Sequence, residues 1–415
     1  MMLTEILKQE QKEKAVQIQN SRTHAIRERN VVFKGARVFD NGKIGHASGM
    51  GEVNDSKLIE SATVASKESG IAFKYPLPTP TQQIFDGREL ADSYCDPVGF
   101  ADALLNEVRT RHPNFNLTGS VESQDERRVL STSAGTQLES VSNTFAIGFA
   151  FKHNDSRGII DGLWEWRGNF ADLDAAINGI SEVLEAYERP APALTKDSYP
   201  IAFLNLNDPY LLSRKFRTDL TASTYFRGGS IFSGKMGEKV LSERFSLQDV
   251  SQDPRRGVYR PFDDEGVIRA NDLTLIDHGR LSAVISDRRT ANEFGCPLTG
   301  NGFRFQDSMF GAPSPAFKQF RVAPTARTLN EVVQGCDTII ASMPMGGDYT
   351  ASGEFSSPIQ LAFLMRDGKL IGRLPELSVS SHIEKMFGEK YVGTAAHGLS
   401  PVAPEIVVME MDIRF

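Results

Sequence analysis

Three short turns constrain this chain more than any other feature. Asn41-Gly42 lies between Val38-Phe39 and Ile44, Asp367-Gly368 lies between Phe363-Leu364-Met365 and Leu370-Ile371, and His278-Gly279 marks a third. A two-residue hairpin turn needs positive φ, which glycine adopts freely and Asn or Asp tolerates, and it joins adjacent antiparallel strands. Such turns near the start, middle and end predict antiparallel sheet in both halves of the chain.

Helical patterns are interspersed, mostly in the first half. Leu3 to Lys14 is rich in Glu, Gln and Lys, which predicts a surface helix with a thin apolar stripe, followed by extended runs from Ala15 to Ser48. Asp55 through Ser69 places Leu58, Ile59, Ala62 and Ala65 at helical spacing, with Asp55 as cap and Gly70 as stop. Pro76, Pro78 and Pro80 enforce an extended loop. Asp96-Pro97 then opens a helix that buries Phe100, Leu104, Leu105 and Val108 and stops at Pro113. Phe115 to Trp166 alternates polar and apolar residues, as an antiparallel meander does, and Phe170 to Arg189 returns to helical spacing.

At 415 residues the chain exceeds the usual size of one hydrophobic core, so two domains are expected. Pro190-Ala191-Pro192-Ala193 is the best linker, which divides the chain into an α+β domain over 1–195 and a β-rich domain over 196–415. The second begins with a strand from Ile201 to Leu206 and a helix opened by Asp208-Pro209 that carries Leu212, Phe216 and Leu220. A net charge of −7 offers no broad attraction to nucleic acid. Cys95, Cys296 and Cys336 are too scattered for a disulfide framework, and Met1 to Asn20 lacks the apolar run of a signal peptide or membrane span. A cytoplasmic protein is expected, with no direct nucleic-acid or membrane partner.

Hydrolytic zinc needs imidazoles and carboxylates that converge on one ion, commonly with two of them at helical spacing. His24, His46, His112, His153, His278, His382 and His397 are far apart, with no pair at i, i+3 or i, i+4. Asp263-Asp264-Glu265 could serve as an acid/base or cation cluster, but a solvated turn closed by Gly266 is the favoured expectation. Asp249, Asp253 and Arg255-Arg256 read as loop polarity of the same kind. Arg289, Asn301 and Glu354 lie in glycine-bearing loops at the ends of strand-like runs, where polar side chains can meet a peptide backbone. Gly346-Gly347 and Arg227-Gly228-Gly229-Ser230 lack the spacing and lysine of a phosphate loop.

The run from Gly234-Lys235-Met236-Gly237-Glu238-Lys239-Val240 through Pro261-Phe262-Asp263-Asp264-Glu265-Gly266-Val267, Asp277-His278-Gly279-Arg280-Leu281, Arg289-Thr290-Ala291, Thr299-Gly300-Asn301 and Gly353-Glu354-Phe355-Ser356 resembles the TldD/PmbA family. These are metallopeptidase-related proteins once called gyrase modulators, and the PmbA (TldE) branch is the nearer match. The resemblance extends to Gly35-Ala36-Arg37-Val38-Phe39 near the start and Pro404 to Met411 near the end. It implies an α+β N-terminal domain, a C-terminal domain with a curved, barrel-like antiparallel sheet, and a role in proteolysis or peptide maturation.

The resemblance also implies a division of labour. In the TldD branch an HExxxH helix holds zinc, whereas here the helix that would correspond, from Asn207 to about Ala222, contains no histidine. No zinc ligand carries over, and no cofactor is expected in this chain. The implied role is the non-zinc partner of a zinc-bearing TldD-like subunit, in a heterodimer or a homodimer, acting on unfolded peptides in an enclosed chamber. A stand-alone hydrolase with a rearranged site built on Asp263, Asp264 or Glu354, or a non-enzymatic client-binding module, is the alternative.

Overall fold

The computed structural model describes residues 2–68, 72, 79–88, 96–168, 171–203, 213–253, 256–304, 311–396 and 405–415. Its first half is a sheet of long strands covered by helices. In chain order these are β1 (Leu3–Gln19), β2 (Arg22–Asp40), β3 (Lys43–Met50), α1 (Asp55–Glu68), β4 (Gln82–Asp86) and α2 (Pro97–Arg111). There follow β5 (Phe115–Thr132), β6 (Gln137–His153), β7 (Gly162–Gly168) and α3 (Leu173–Glu188). The sheet order is β3-β2-β1-β5-β6-β4, with β7 also on β6.

The expected helix over Leu3 to Lys14 is instead most of strand β1. Glu5, Leu7, Gln9 and Glu13 alternate toward a buried face. Three of those four are polar, so the period of two that marks a strand left no apolar trace. Their partners are distant in sequence: Arg37 on Glu5, Glu126 on Gln9, and Arg27 with Arg29 on Glu13. Tertiary pairing overrides the helix propensity of Glu, Gln and Lys.

The other first-half expectations fall close to the observed elements. Asn41-Gly42 closes the β2–β3 hairpin with positive φ at both residues. Asp96 caps α2 by accepting the Gly99 N–H, and Phe100, Leu104, Leu105 and Val108 are buried. Asn54 rather than Asp55 caps α1, through the Ser56 N–H. The loop at Pro76 and Pro78 and the stop at Gly70 lie outside the described residues.

The second half begins with β8 (Ser198–Phe203), α4 (Arg214–Asp219), α5 (Ala222–Phe226), β9 (Leu247–Asp249), β10 (Gln252–Asp253) and β11 (Val258–Tyr259). Next come β12 (Leu273–Asp277), β13 (Arg280–Leu281), α6 (Arg288–Phe294), β14 (Gly302–Phe303), β15 (Ser314–Pro315), β16 (Phe320–Val322) and α7 (Leu329–Val333). The chain ends with β17 (Thr338–Pro344), β18 (Asp348–Tyr349), β19 (Glu354–Arg366), β20 (Lys369–Arg373), β21 (Leu377–His382), α8 (Ile383–Met386), β22 (Tyr391–Ala395) and β23 (Ile406–Arg414). The turns at His278-Gly279 and Asp367-Gly368 close β12–β13 and β19–β20 as expected. Residues 204–212, which hold Asp208-Pro209 and Leu212 of the expected helix, lie outside the described set.

Five strands close into a barrel in the order β17-β8-β23-β21-β19 and back to β17. All junctions are antiparallel except β8–β17. In β8, β17, β19 and β23 alternate apolar residues feed two cores, whereas β21 puts Leu377 and Val379 in one core and serines on its other face. Ile201, Ile339, Leu364 and Val407 join Phe216, Phe232, Phe245 and Phe387. Ala202, Ile340, Phe363 and Val408 instead join Leu104 and Leu105 of α2, Ile180 and Leu184 of α3, and Phe145 and Phe151 of β6. The second core therefore draws on both halves of the chain. The proline segment is pinned between them, where Ala191 N–H donates to the Arg373 carbonyl at 2.9 Å and Arg373 N–H to the Arg189 carbonyl at 2.7 Å.

Candidate functional site

Pro261 to Arg269 folds as a tight turn, but a buried one, which corrects the expectation of a solvated loop. Asp263, Asp264 and Glu265 are 0%, 2% and 1% exposed. Phe262 anchors the turn among Leu7, Leu130 and Leu138. Asp263 Oδ1 accepts the N–H groups of Glu265 and Val267 at 2.9 and 2.8 Å, and its Oδ2 accepts that of Gly302 at 2.9 Å. Gly266 adopts φ 76°, the left-handed conformation this turn requires. The side chain of Asp263 thus organises the turn.

Its two neighbours reach outward to arginines. Arg128 on β5 donates to Asp264 Oδ1, and the Arg304 N–H donates to Asp264 Oδ2 at 2.7 Å. Arg37 on β2 spans two acids: Nε and Nη2 bind both oxygens of Glu5 at 2.7 and 2.8 Å, and Nη1 binds Glu265 Oε1 at 2.9 Å. Glu265 Oε2 also accepts the Arg288 N–H at 2.8 Å. Glycines make room for the cluster. A Cβ on Gly35 would lie 2.9 Å from Arg304 Cζ, and one on Gly302 would lie 2.6 Å from Glu265 Oε2.

A second pair extends the network. Asp249, fully buried rather than part of a polar loop, accepts Arg269 Nη2 at 2.5 Å and Asn301 Nδ2 at 2.6 Å. Charges this deeply buried persist only when paired and hydrogen-bonded. Burial and then the adjacent Glu265 carboxylate push Asp263 up to about 7. Burial likewise raises Asp249 and Glu265, against the opposing pull of Arg269 and Arg37 respectively. His46, opposite Arg37 in the β2–β3 register, is lowered by its own burial and then by Arg304 and Arg37.

The three expected groove residues occupy unlike places. Asn301 is fully buried on Asp249. Arg289 is exposed at the start of α6, which Asp287 and Thr290 cap reciprocally, and its neighbour Arg288 enters the cluster instead. Glu354 is exposed at the first residue of β19, a strand of the other sheet. Glu5, Arg37, Arg128 and Arg304 escaped the sequence reading as members of the cluster because each pairs across a long stretch of chain, while Asp249 was read as loop polarity. The one local trace is the polar alternation of Glu5, Gln9 and Glu13.

The residues present do not fit a zinc centre on the expected helix. Its described part, α4, carries Lys215 and Asp219 at i, i+4, buried and paired at 2.7 Å. Asp219 Oδ2 also accepts the Ile231 N–H at 3.1 Å. A lysine ammonium offers no lone pair, so this helix face is a closed ion pair rather than a ligand set. Among the described residues, no group of three His, Cys, Asp or Glu side chains is placed to hold a metal ion.

Residues 197–414, just over half of the chain, match the family model described as the PmbA/TldA metallopeptidase C-terminal domain. The chain belongs to the PmbA/TldD family. Among solved structures, TldE from Thermococcus kodakarensis is 18% identical with a TM-score of 0.78, over 100% of this chain and 96% of that one. A protein from Thermotoga maritima described as a modulator of a DNA gyrase is 17% identical with a TM-score of 0.74, over 100% and 96%. At these identities the likeness establishes the PmbA/TldD fold.

The sequence relatives carry metalloprotease names. A metalloprotease of Methanothermobacter thermautotrophicus is 26% identical over 164 residues, which cover 39% of this chain and 35% of that protein. A metalloprotease TldD homolog of Buchnera aphidicola is 25% identical over 219 residues, or 48% and 45%. The matches span less than half the length of these PmbA/TldD relatives.

Proposed function

We propose that this chain is a zinc-free partner subunit of a TldD-type metallopeptidase, acting in proteolysis or peptide maturation by helping to enclose and select extended peptides. The observation that carries this reading is that the helix expected to correspond to the zinc-binding one contains no histidine, its described part carrying instead the buried Lys215–Asp219 pair. The likeness to TldE of Thermococcus kodakarensis covers 100% of this chain and 96% of that one. The buried carboxylates give no support to a stand-alone hydrolase, because Asp263 and Asp264 are enclosed and each of their oxygens already accepts a hydrogen bond. Free thiols at Cys296 and Cys336 suit a cytoplasmic setting.

The test is to purify the chain alone and together with a TldD-like subunit that carries the histidine helix. The expected result is substoichiometric zinc and no cleavage of unfolded peptides by this chain alone, with stable pairing and cleavage by the mixture. Stoichiometric zinc in the isolated chain, with peptide cleavage abolished by a chelator, would overturn the proposal.

A further inference from the structure

Asparagine followed by glycine is the dipeptide most prone to succinimide chemistry, because a glycine amide has no adjacent Cβ to hinder its attack on the asparagine carboxamide. The chain has three such pairs, Asn41-Gly42, Asn178-Gly179 and Asn301-Gly302, and the fold treats each differently. Asn301 is fully buried, with Nδ2 donating to Asp249 Oδ2 at 2.6 Å and to the Ala316 carbonyl at 3.2 Å, while the Gly302 N–H donates to Asp263 Oδ2 at 2.9 Å. Leaving group and nucleophile are both tied down. Asn178-Gly179 lies inside α3, where the Gly179 N–H belongs to the helical ladder and the backbone holds the carboxamide away from it. Asn41-Gly42 has neither restraint. Both residues are exposed at the tip of the β2–β3 hairpin, at φ 49° and 73°. Among the described residues, the Asn41 carboxamide has one tether, from Nδ2 to Asp40 Oδ2 at 3.2 Å, and no acceptor takes the Gly42 N–H. A Cβ on Gly42 would meet nothing within 4 Å, so the space around the turn is open. Strand β3 ends the sheet, and Asp40–Lys43 is the last rung of its ladder with β2, the place where such a ladder opens most easily.

We propose that Asn41 is a site of spontaneous deamidation and isoaspartate formation, from which the fold shields Asn178 and Asn301. The Gly42 nitrogen attacks Asn41 Cγ. The new N–Cγ bond closes a succinimide ring, the Cγ–Nδ2 bond breaks, and Nδ2 leaves as ammonia with the proton given up by the Gly42 amide. Water then adds to one of the two ring carbonyls. Breaking the N–Cγ bond leaves an ordinary aspartate. Breaking the bond between the Gly42 nitrogen and the Asn41 backbone carbonyl carbon leaves isoaspartate, with the chain rerouted through the former side chain. Either product replaces a neutral amide with a carboxylate beside Asp40. Isoaspartate also adds a methylene to a turn whose two-residue length sets the Asp40–Lys43 closure, so it loosens β3 at its start. The site is independent of the zinc-free role proposed above.

The test holds the folded full chain in warm, mildly alkaline buffer beside a sample kept unfolded in urea. Both are digested under mildly acidic conditions for mass spectrometry with fragmentation that separates aspartate from isoaspartate. In the folded chain the amide-to-acid mass gain is expected at Asn41 and not at Asn178 or Asn301, whereas in urea all three pairs convert. A more acidic species, resolved by anion exchange, is expected to accumulate in the folded sample and to exchange its β3 amide hydrogens faster than the unaged chain. Asn41→Gly leaves a pair that still suits the turn, and it is expected to stop that species from accumulating with circular dichroism unchanged. An Asn41 that stays intact in the folded chain while it converts in urea would overturn the proposal. So would conversion spread over all three pairs in the folded chain. An acidic species with unaltered exchange in β3 would refute the loosening.

Discussion

At the scale of single residues, Asp263 is the most consequential side chain in the chain. It is fully buried, three backbone N–H groups converge on it, and it is pushed up to about 7. An acid raised in the folded state keeps a proton that the unfolded chain has released, so its contribution to stability falls as pH rises from about 4 to about 7. The full shift corresponds to up to about 4 kcal/mol. His46 and His112, both lowered chiefly by burial, push in the opposite direction below their ordinary range. The effect is therefore read as a difference between proteins. Urea midpoints at about pH 5 and about pH 7.5 are expected to fall more steeply with pH in the wild type than in Asp263→Asn. The variant should also be less stable at about pH 5, because its amide N–H group would face the Gly302 N–H donor. Equal slopes would show that Asp263 is ionised throughout. None of this was legible in the local sequence, where three adjacent acids before a glycine look like a water-exposed turn. Burial was decided by Phe262, which drags them inward, and by arginines 136 or more residues away on the long strands.

At the scale of elements, β1 shows where pattern reading succeeds and where it stops. Hairpins marked by Asn41-Gly42, His278-Gly279 and Asp367-Gly368 were legible because the turn chemistry is local. Helices α2 and α3 were legible because their buried stripes are apolar. Strand β1 was not, since Glu5, Gln9 and Glu13 face inward. Beyond its backbone ladder with β2, it is tied to the Glu265 side of the Asp263 turn by Arg37, which bridges Glu5 and Glu265. Arg37→Met would leave two buried carboxylates without their cation and is expected to cost about 3–5 kcal/mol. Denaturant unfolding checks this, and the double variant Arg37→Met with Glu5→Met should recover part of the loss. An Arg37→Met protein within about 1 kcal/mol of the wild type would mean that water or another cation reaches the cluster.

At the scale of the whole molecule, two contacts of opposite chemistry hold the halves together. One is the apolar core in which Ile340, Phe363 and Val408 of the barrel strands meet α2 and α3. The other is the ionic cluster that joins β1, β2 and β5 to the 261–304 segment. Residues 196–415 expressed alone would bare the first and leave Asp264 without Arg128, and Glu265 without Arg37. We therefore expect that fragment to aggregate or to be digested rapidly in limited proteolysis, while the full chain unfolds in one calorimetric transition. A protease-resistant, monomeric fragment would refute this. The α+β character was legible in the sequence through turns and strand patterns, and the barrel only through the resemblance. The shared core was not, because a strand that is apolar on both faces does not say which neighbour each face meets. The cluster also sets a rule for exchanging parts between relatives. Glu5, Arg37 and Arg128 precede the proline segment and Asp264, Glu265 and Arg304 follow it, yet they form one mechanical fitting, so a chimera spliced there must inherit both sides of it from compatible parents.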